Sequence, residues 1–277
     1  MRVNLLGAWL DSLRMEEVEE RIAGFIRTGS PHQVITLNPE ILYQAQQEPG
    51  LLKLINGVSL VTADGVGIVW AARVTGKTIQ ERVTGIDLLL CLVARAAKER
   101  WKIFLLGGVP GVSEEAAERL KQQYPQLVIA GVYHGYFQEA NGQQNSSEED
   151  NRTLAPEEKK LTSSPPQILR EAEVVEMIRQ ARPHLLFVGM GAPKQEKFIA
   201  RNLKRMNVPV ALGVGGSFDV LAGRVKRAPV WMQRLHLEWL GRLAREPGRW
   251  RRMLVLPRFA WLVLLAASDT KDKVRRG

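Results

Sequence analysis

The sequence predicts an α/β fold: a mainly parallel, Rossmann-like sheet with helices on both faces, followed by a basic helical C-terminal appendage. Three observations carry this. Short apolar runs alternate with longer amphipathic segments through residues 1–223. Several of the short runs are almost continuously apolar, as strands buried on both faces must be. Charge is also segregated. Residues 224–277 hold 14 Lys/Arg and 4 Asp/Glu, which accounts for the whole formal net charge of +10 and leaves residues 1–223 neutral.

Taken in order, the candidate strands are Val3–Leu6, Gln33–Leu37, Ser59–Thr62, Lys102–Leu106, Leu127–Val132, His184–Val188 and Pro209–Gly213. Candidate helices fill the gaps at 15–27, 39–47, 66–74, 85–100, 112–123, 168–181 and 194–205. In such sheets ligands bind at the carboxyl ends of the strands, so the segments that follow the strands are where chemistry is expected. Residues 138–166 break the alternation. Gln138–Asn151 contains one apolar residue, too few to offset the entropy of ordering, and reads as an inserted mobile surface loop. The expected organisation is a catalytic body over 1–223 and an appendage over 224–277.

Composition narrows the class. With 45% hydrophobic residues the body can bury a full core. The lone Cys91 lies in the apolar run Leu88–Val93 and reads as a core thiol. No intrachain disulfide framework is available. Asp11 interrupts the N-terminus too early for a secretory signal. No stretch reaches the roughly 20 apolar residues that span a bilayer. A cytoplasmic protein, at most peripheral to a membrane, is expected. The appendage carries Trp231, Trp239, Trp250 and Trp261 and the apolar run Phe259–Ala267. Cationic, Trp-rich and amphipathic, it suits an anionic membrane surface.

The segments after the strands hold the candidate site. Thr36-Leu-Asn38 follows one strand and Thr62-Ala-Asp64-Gly65 the next. Asp64 can serve as a general base, or simply cap helix 66–74. Gly107-Gly108-Val-Pro-Gly111 opens the helix at 112 and could admit a phosphate to its N-terminus, or be a plain tight turn. Gly189-Met-Gly191-Ala-Pro193-Lys194-Gln195 brings two glycines, a helix-starting proline and exposed Lys194 and Gln195 to one helix N-terminus. Gly213-Val-Gly215-Gly216 is a third glycine-rich turn. Together they suggest a phosphate-bearing ligand, most simply a nucleotide. No Asp-x-Asp pair exists to hold a divalent ion, and the four histidines lack ligand spacing, so no metal and no other cofactor is expected. A leaving diphosphate would then need arginines or helix N-termini. Arg242, Arg245 and Arg249 share one possible helical face in the appendage, although a generic basic face would look the same.

Thr36–Glu40, Thr62–Gly65, Glu81–Asp87, Phe104–Gly108, Gly189–Glu196 and Gly213–Asp219, with Arg224–Pro247, occur in an order that resembles the WecG/TagA/CpsF glycosyltransferase family. The resemblance covers almost the whole chain outside 138–166. It implies inverting, metal-independent transfer of N-acetylmannosamine from UDP to undecaprenyl-diphosphate-linked N-acetylglucosamine, as in the linkage unit of wall teichoic acid. It makes Asp64 the base, with Thr36 and Asn38 beside it, and Arg82 and Gln195 donor-site residues. The appendage arginines become candidates for closing over the diphosphate. Relatives that use N-acetylmannosaminuronate or glucose leave the donor sugar open, and self-association is compatible with the sequence. A non-catalytic nucleotide scaffold or a nucleic-acid-binding module are the alternatives. No recognised nucleic-acid motif accompanies the basic tail, so nucleic acid is not the expected partner.

Overall fold

The computed structural model describes residues 1–138, 168–229, 232 and 254–276. Residues 139–166 of the expected loop, Trp231, Trp239, Trp250, and Arg242, Arg245 and Arg249 lie outside the described residues.

Six strands form one parallel sheet in the order β4-β3-β8-β7-β5-β6. They are β3 (His32–Leu37), β4 (Leu60–Ala63), β5 (Lys102–Gly107), β6 (Val128–Tyr133), β7 (Leu185–Gly189) and β8 (Val210–Gly213). Each was expected within a residue or two. The first expected strand belongs elsewhere: β1 (Arg2–Leu5) pairs antiparallel with β2 (Ala8–Asp11) in a separate hairpin. Leu6 (φ 49°) and Gly7 (φ 84°) make the tight reversal. The chain divides into two compact units. One comprises Met1–Gly24, Gln33–Leu88 and Lys226–Gly277, the other Phe25–His32 and Leu89–Val225. This division differs from the expected one at 223/224, because the C-terminal segment groups with the N-terminal half.

In the first unit, β3 and β4 pair in register, Thr36 opposite Thr62. Around them lie α2 (Pro39–Gln47), α3 (Pro49–Gly57) and α4 (Val66–Val74), with most of α1 (Met15–Thr28) and the start of α5 (Gly85–Glu99). Proline opens both α2 and α3, where its missing N–H costs nothing. Asp11 ties the hairpin to the sheet. Its carboxylate meets Arg21 at 3.2 Å and Arg2 at 3.4 Å and accepts the Val61 amide at 3.1 Å.

The second unit holds β5 to β8, covered by α6 (Val112–Gln123), α7 (Glu171–Ala181), α8 (Lys194–Met206) and the short α9 (Ser217–Leu221). Its core brings Phe104, Leu106, Leu186 and Val188 of the strands against Val174, Ile178, Phe198 and Ile199 of the helices. The Phe137 and Phe198 rings pack 5.4 Å apart.

The last helix, α10 (Val255–Arg276), packs on α2 and α4 within the first unit. Phe259, Val263 and Ala267, spaced i, i+4, i+8, are its buried face, and Trp261, Leu264 and Leu265 point outward. The apolar run 259–267 therefore serves the core on one side and presents apolar surface on the other. Among the described residues, no helix is long and apolar enough to cross a membrane.

Candidate functional site

In the first unit the polar residues after β3 and β4 are side by side. The Asp64 amide donates to the Leu37 carbonyl at 2.8 Å, between Thr36 and Asn38. Asn38 caps α2: its Oδ1 accepts the Ile41 amide at 2.9 Å, leaving the side-chain NH2 as the group it can offer a ligand. Thr36 is buried at 8% exposure on its strand.

Asp64 does not cap α4. Gly65 takes that position with φ 89°, a conformation that favours glycine, and makes no side-chain cap. The helix starts close against α2, since a Cβ at Gly67 would come within 2.6 Å of Pro39. The Asp64 carboxylate turns instead to the segment 81–87, where Oδ2 accepts the Gly85 amide at 3.2 Å. That segment runs along the end of β4. The Val83 amide donates to the Ala63 carbonyl at 2.9 Å, and the Thr62 hydroxyl donates to the Val83 carbonyl at 3.4 Å. Half-buried Arg82 sits within it. Thr84 starts α5. Its hydroxyl donates to Asp87 Oδ2 at 2.6 Å and accepts the Asp87 amide at 3.2 Å. Asp87 Oδ1 meets the Arg227 guanidinium at 2.6 Å. Thr84 and Asp87 fall within the motif Glu81–Asp87 and Arg227 within Arg224–Pro247, but none was expected in this role. The spacing Thr84-x-x-Asp87 is a readable cap signal, whereas the Arg227 partnership, 140 residues away, has no local signal.

In the second unit the glycines have two different causes. Gly107 and Gly189 are register partners on β5 and β7, and a Cβ at Gly107 would lie 2.4 Å from the Gly189 oxygen. A Cβ at Gly189 would lie 2.8 Å from Phe218. The Gly108 amide donates to the Gly189 carbonyl at 3.0 Å, and the Gly135 amide to the Gly108 carbonyl at 2.9 Å. These glycines permit backbone to approach backbone. Gly191 (φ 74°) and Gly215 (φ 54°) face open space and are glycine for conformation alone.

Gln195 departs from expectation. It is buried at 4% exposure, while Lys194 beside it is exposed. Its Oε1 accepts the Gly215 amide at 3.0 Å, its Nε2 donates to Glu196 Oε1 at 2.8 Å, and its amide packs where a Gly213 Cβ would be, 2.5 Å away. Being second in α8 turns it inward, so it braces the glycine turn after β8. Burial pushes the Glu196 carboxyl up to about 7, against the hydrogen bonds from Gln195 and its own backbone. Pro193 is the residue preceding α8 rather than part of its first turn.

The sequence reading also passed over His134. It follows β6, is buried at 6% exposure, packs at a tilt against Tyr133 with centroids 4.2 Å apart and accepts the Tyr136 amide through Nδ1 at 3.2 Å. Burial lowers its pKa, partly opposed by the Glu114 carboxylate. A separate open depression of about 580 Å³, lined by Glu115, Glu118, Arg119, Gln122 and Ala222, shares no residue with these loops. No group of three or more potential metal-ligating side chains occurs among the described residues.

A carboxylate oriented by an amide is suited to take a proton in a group-transfer reaction. The relatives of the chain are named for such a transfer. It is 33% identical to the N-acetylglucosaminyldiphosphoundecaprenol N-acetyl-beta-D-mannosaminyltransferase of Bacillus subtilis, covering 96% of this chain and 89% of that one. The protein of the same name from Bacillus spizizenii is 34% identical over 83% and 78% of the two chains, and that from Staphylococcus aureus 31% over 98% and 95%. The model of the glycosyl transferase WecG/TagA/CpsF family matches residues 3–273, and with nearly the whole chain covered, this protein belongs to that family.

Proposed function

We propose that this chain transfers N-acetylmannosamine from a UDP-linked donor to undecaprenyl-diphosphate-linked N-acetylglucosamine, inverting the anomeric centre and using no metal. The observation that carries this reading is Asp64, whose backbone pairs with Leu37 between Thr36 and Asn38 and whose carboxylate accepts the Gly85 amide. The relatives' shared name supplies the acceptor and the sugar.

In this reading Asp64 takes the proton of an acceptor hydroxyl as that oxygen attacks the anomeric carbon. The bond from that carbon to the UDP oxygen breaks, and UDP leaves with the electron pair. Thr36 and the Asn38 amide orient the acceptor. Arg82, exposed Lys194 and the loops at Gly107–Gly108, Gly189–Gly191 and Gly215 serve the donor, with Gln195 acting through the Gly215 turn it braces. Arg242, Arg245 and Arg249 stabilise the diphosphate charge. The outward face of α10, with Arg258, Trp261, Leu264 and Leu265, and exposed Val66 and Trp70 of α4 fit a peripheral site on the inner face of the plasma membrane, where such an acceptor resides.

The test is UDP release from a panel of UDP-sugars with a short-chain lipid-diphosphate N-acetylglucosamine acceptor, with and without excess EDTA. Release with the N-acetylmannosamine donor, undiminished by EDTA, is expected. Release only with N-acetylmannosaminuronate or glucose donors overturns the sugar assignment. Loss with EDTA and rescue by Mg²⁺ or Mn²⁺ overturns the metal-free account.

A further inference from the structure

The appendage begins where the base is supported. Arg227, three residues beyond Arg224, reaches back 140 positions to Asp87 in the first turn of α5. Asp87 uses both oxygens: Oδ1 takes the Arg227 guanidinium at 2.6 Å, and Oδ2 takes the Thr84 hydroxyl at 2.6 Å. Thr84 closes the loop by accepting the Asp87 amide at 3.2 Å. The next residue is Gly85, whose amide donates to Asp64 Oδ2 at 3.2 Å. Every member lies within the first compact unit.

We propose that Arg227 is a positioning residue for the reaction, acting through the Asp87–Thr84 cap on the Gly85 amide that orients the Asp64 carboxylate. This rests on the base assignment above. As an ion pair the contact contributes little, because both side chains are partly exposed, at 24% and 34%, and such pairs are screened by solvent. Its leverage is geometric. A glycine amide is loosely determined by its own backbone. Here its direction is fixed by a cap whose acidic member is itself fixed from outside α5. Without Arg227, Asp87 is free to leave the Thr84 hydroxyl, the first turn loosens, and the carboxylate loses its orienting donor. Small misplacements of a reacting group cost rate out of proportion to their size.

The experiment uses the full chain and two readouts. The first is steady-state UDP release. Arg227→Gln is expected to lower kcat roughly 10- to 100-fold, with the donor KM and the thermal midpoint close to wild type, and Arg227→Lys to recover part of the loss. In a double-mutant cycle, Arg227→Gln with Asp87→Asn is expected to be no worse than Asp87→Asn alone. A kcat for Arg227→Gln within about twofold of wild type, or losses that simply add, overturns the proposal. The second readout is hydrogen exchange of the segment 81–88, which needs no turnover. It is expected to quicken in Arg227→Gln and to stay unchanged in Arg224→Gln, because Arg224 pairs with Glu115 at 2.8 Å instead. Unchanged exchange in Arg227→Gln overturns the clamp. A wild-type protein that releases no UDP from any donor defeats the glycosyl-transfer reading, while the exchange result still decides whether Arg227 holds this turn.

Discussion

The turns that follow β3 and β4 and those that follow β5, β7 and β8 occupy equivalent places on their strands, yet they are built on opposite principles. After β3 and β4 the side chains act: Asn38 caps α2, Asp64 takes the Gly85 amide, and Thr84 and Asp87 cap α5. After β5, β7 and β8 the backbone acts. Gly107, Gly189 and Gly213 are glycine because neighbouring atoms already fill the place of a side chain. The polar residue most suggestive of a ligand contact, Gln195, faces inward. A reactive group needs a side chain held from several directions, whereas closely packed strand ends need residues that carry no side chain.

The strongest way to break this contrast is Asp64→Asn. Loss of a general base costs about 10²- to 10⁴-fold in rate, and the fold and donor binding should survive because asparagine keeps an oxygen for the Gly85 amide. Turnover near wild type would reduce Asp64 to a structural acceptor. Next is Gly107→Ala, whose Cβ would meet the Gly189 carbonyl. Overpacking of this kind should cost roughly 3 kcal/mol, against about 1 kcal/mol for Gly215→Ala, which carries only backbone strain. Equal melting points for the two variants would erase the distinction between packed and open glycines.

Glu196→Gln tests whether the brace beneath the β8 turn behaves as a neutral group. Its folded pKa of about 7 lies above its ordinary value of 4.5. The unfolded chain therefore releases the proton first, and the carboxyl costs stability progressively as pH rises from 4.5 to about 7. The cost is fully present above that range and amounts to roughly 3 kcal/mol. Glu196→Gln should match wild type near pH 4 and melt higher above pH 7. Parallel stability curves across that range would show that Glu196 is charged in the fold. Asn38→Ala should have a stability effect as small as that of Gly215→Ala, about 1 kcal/mol for the lost cap. A fall in kcat beyond what folding explains is also expected, and an unchanged kcat would reduce Asn38 to a helix cap.

The contrast also accounts for what could be read in advance. All six strands of the parallel sheet were legible because each is a short apolar run that must be buried on both sides, and runs of this type have few alternatives. β2 was not, because Ala8–Asp11 places Trp9 outward and ends in a charged residue whose role appears only when Arg2, Arg21 and Val61 converge on it. α3 was missed because Pro49-Gly50 at its start reads as a turn. That Thr36, Asn38 and Asp64 lie near one another was legible because they sit at adjacent strand ends. The direction of Gln195 was not, since one residue of helical phase decides between solvent and core. Arg227 was unreadable as a partner of Asp87 because nothing local records a contact across so much chain.

The two-sided C-terminal helix constrains how this protein can be handled and how it can change. A chain shortened at residue 223 to make it easier to purify would lose more than a basic segment. It would strip Phe259, Val263 and Ala267 from α2 and α4, the helices that follow Asn38 and Asp64, and lay core residues open to water. Inactivity of such a fragment would say little about the arginines it lacks. Polar replacements confined to Trp261, Leu264 and Leu265 leave the inner face intact and remove only exposed apolar surface. The same asymmetry sets the helix's evolutionary freedom: the outer positions can drift without disturbing the core, and the inner ones can change only together with the body they seal.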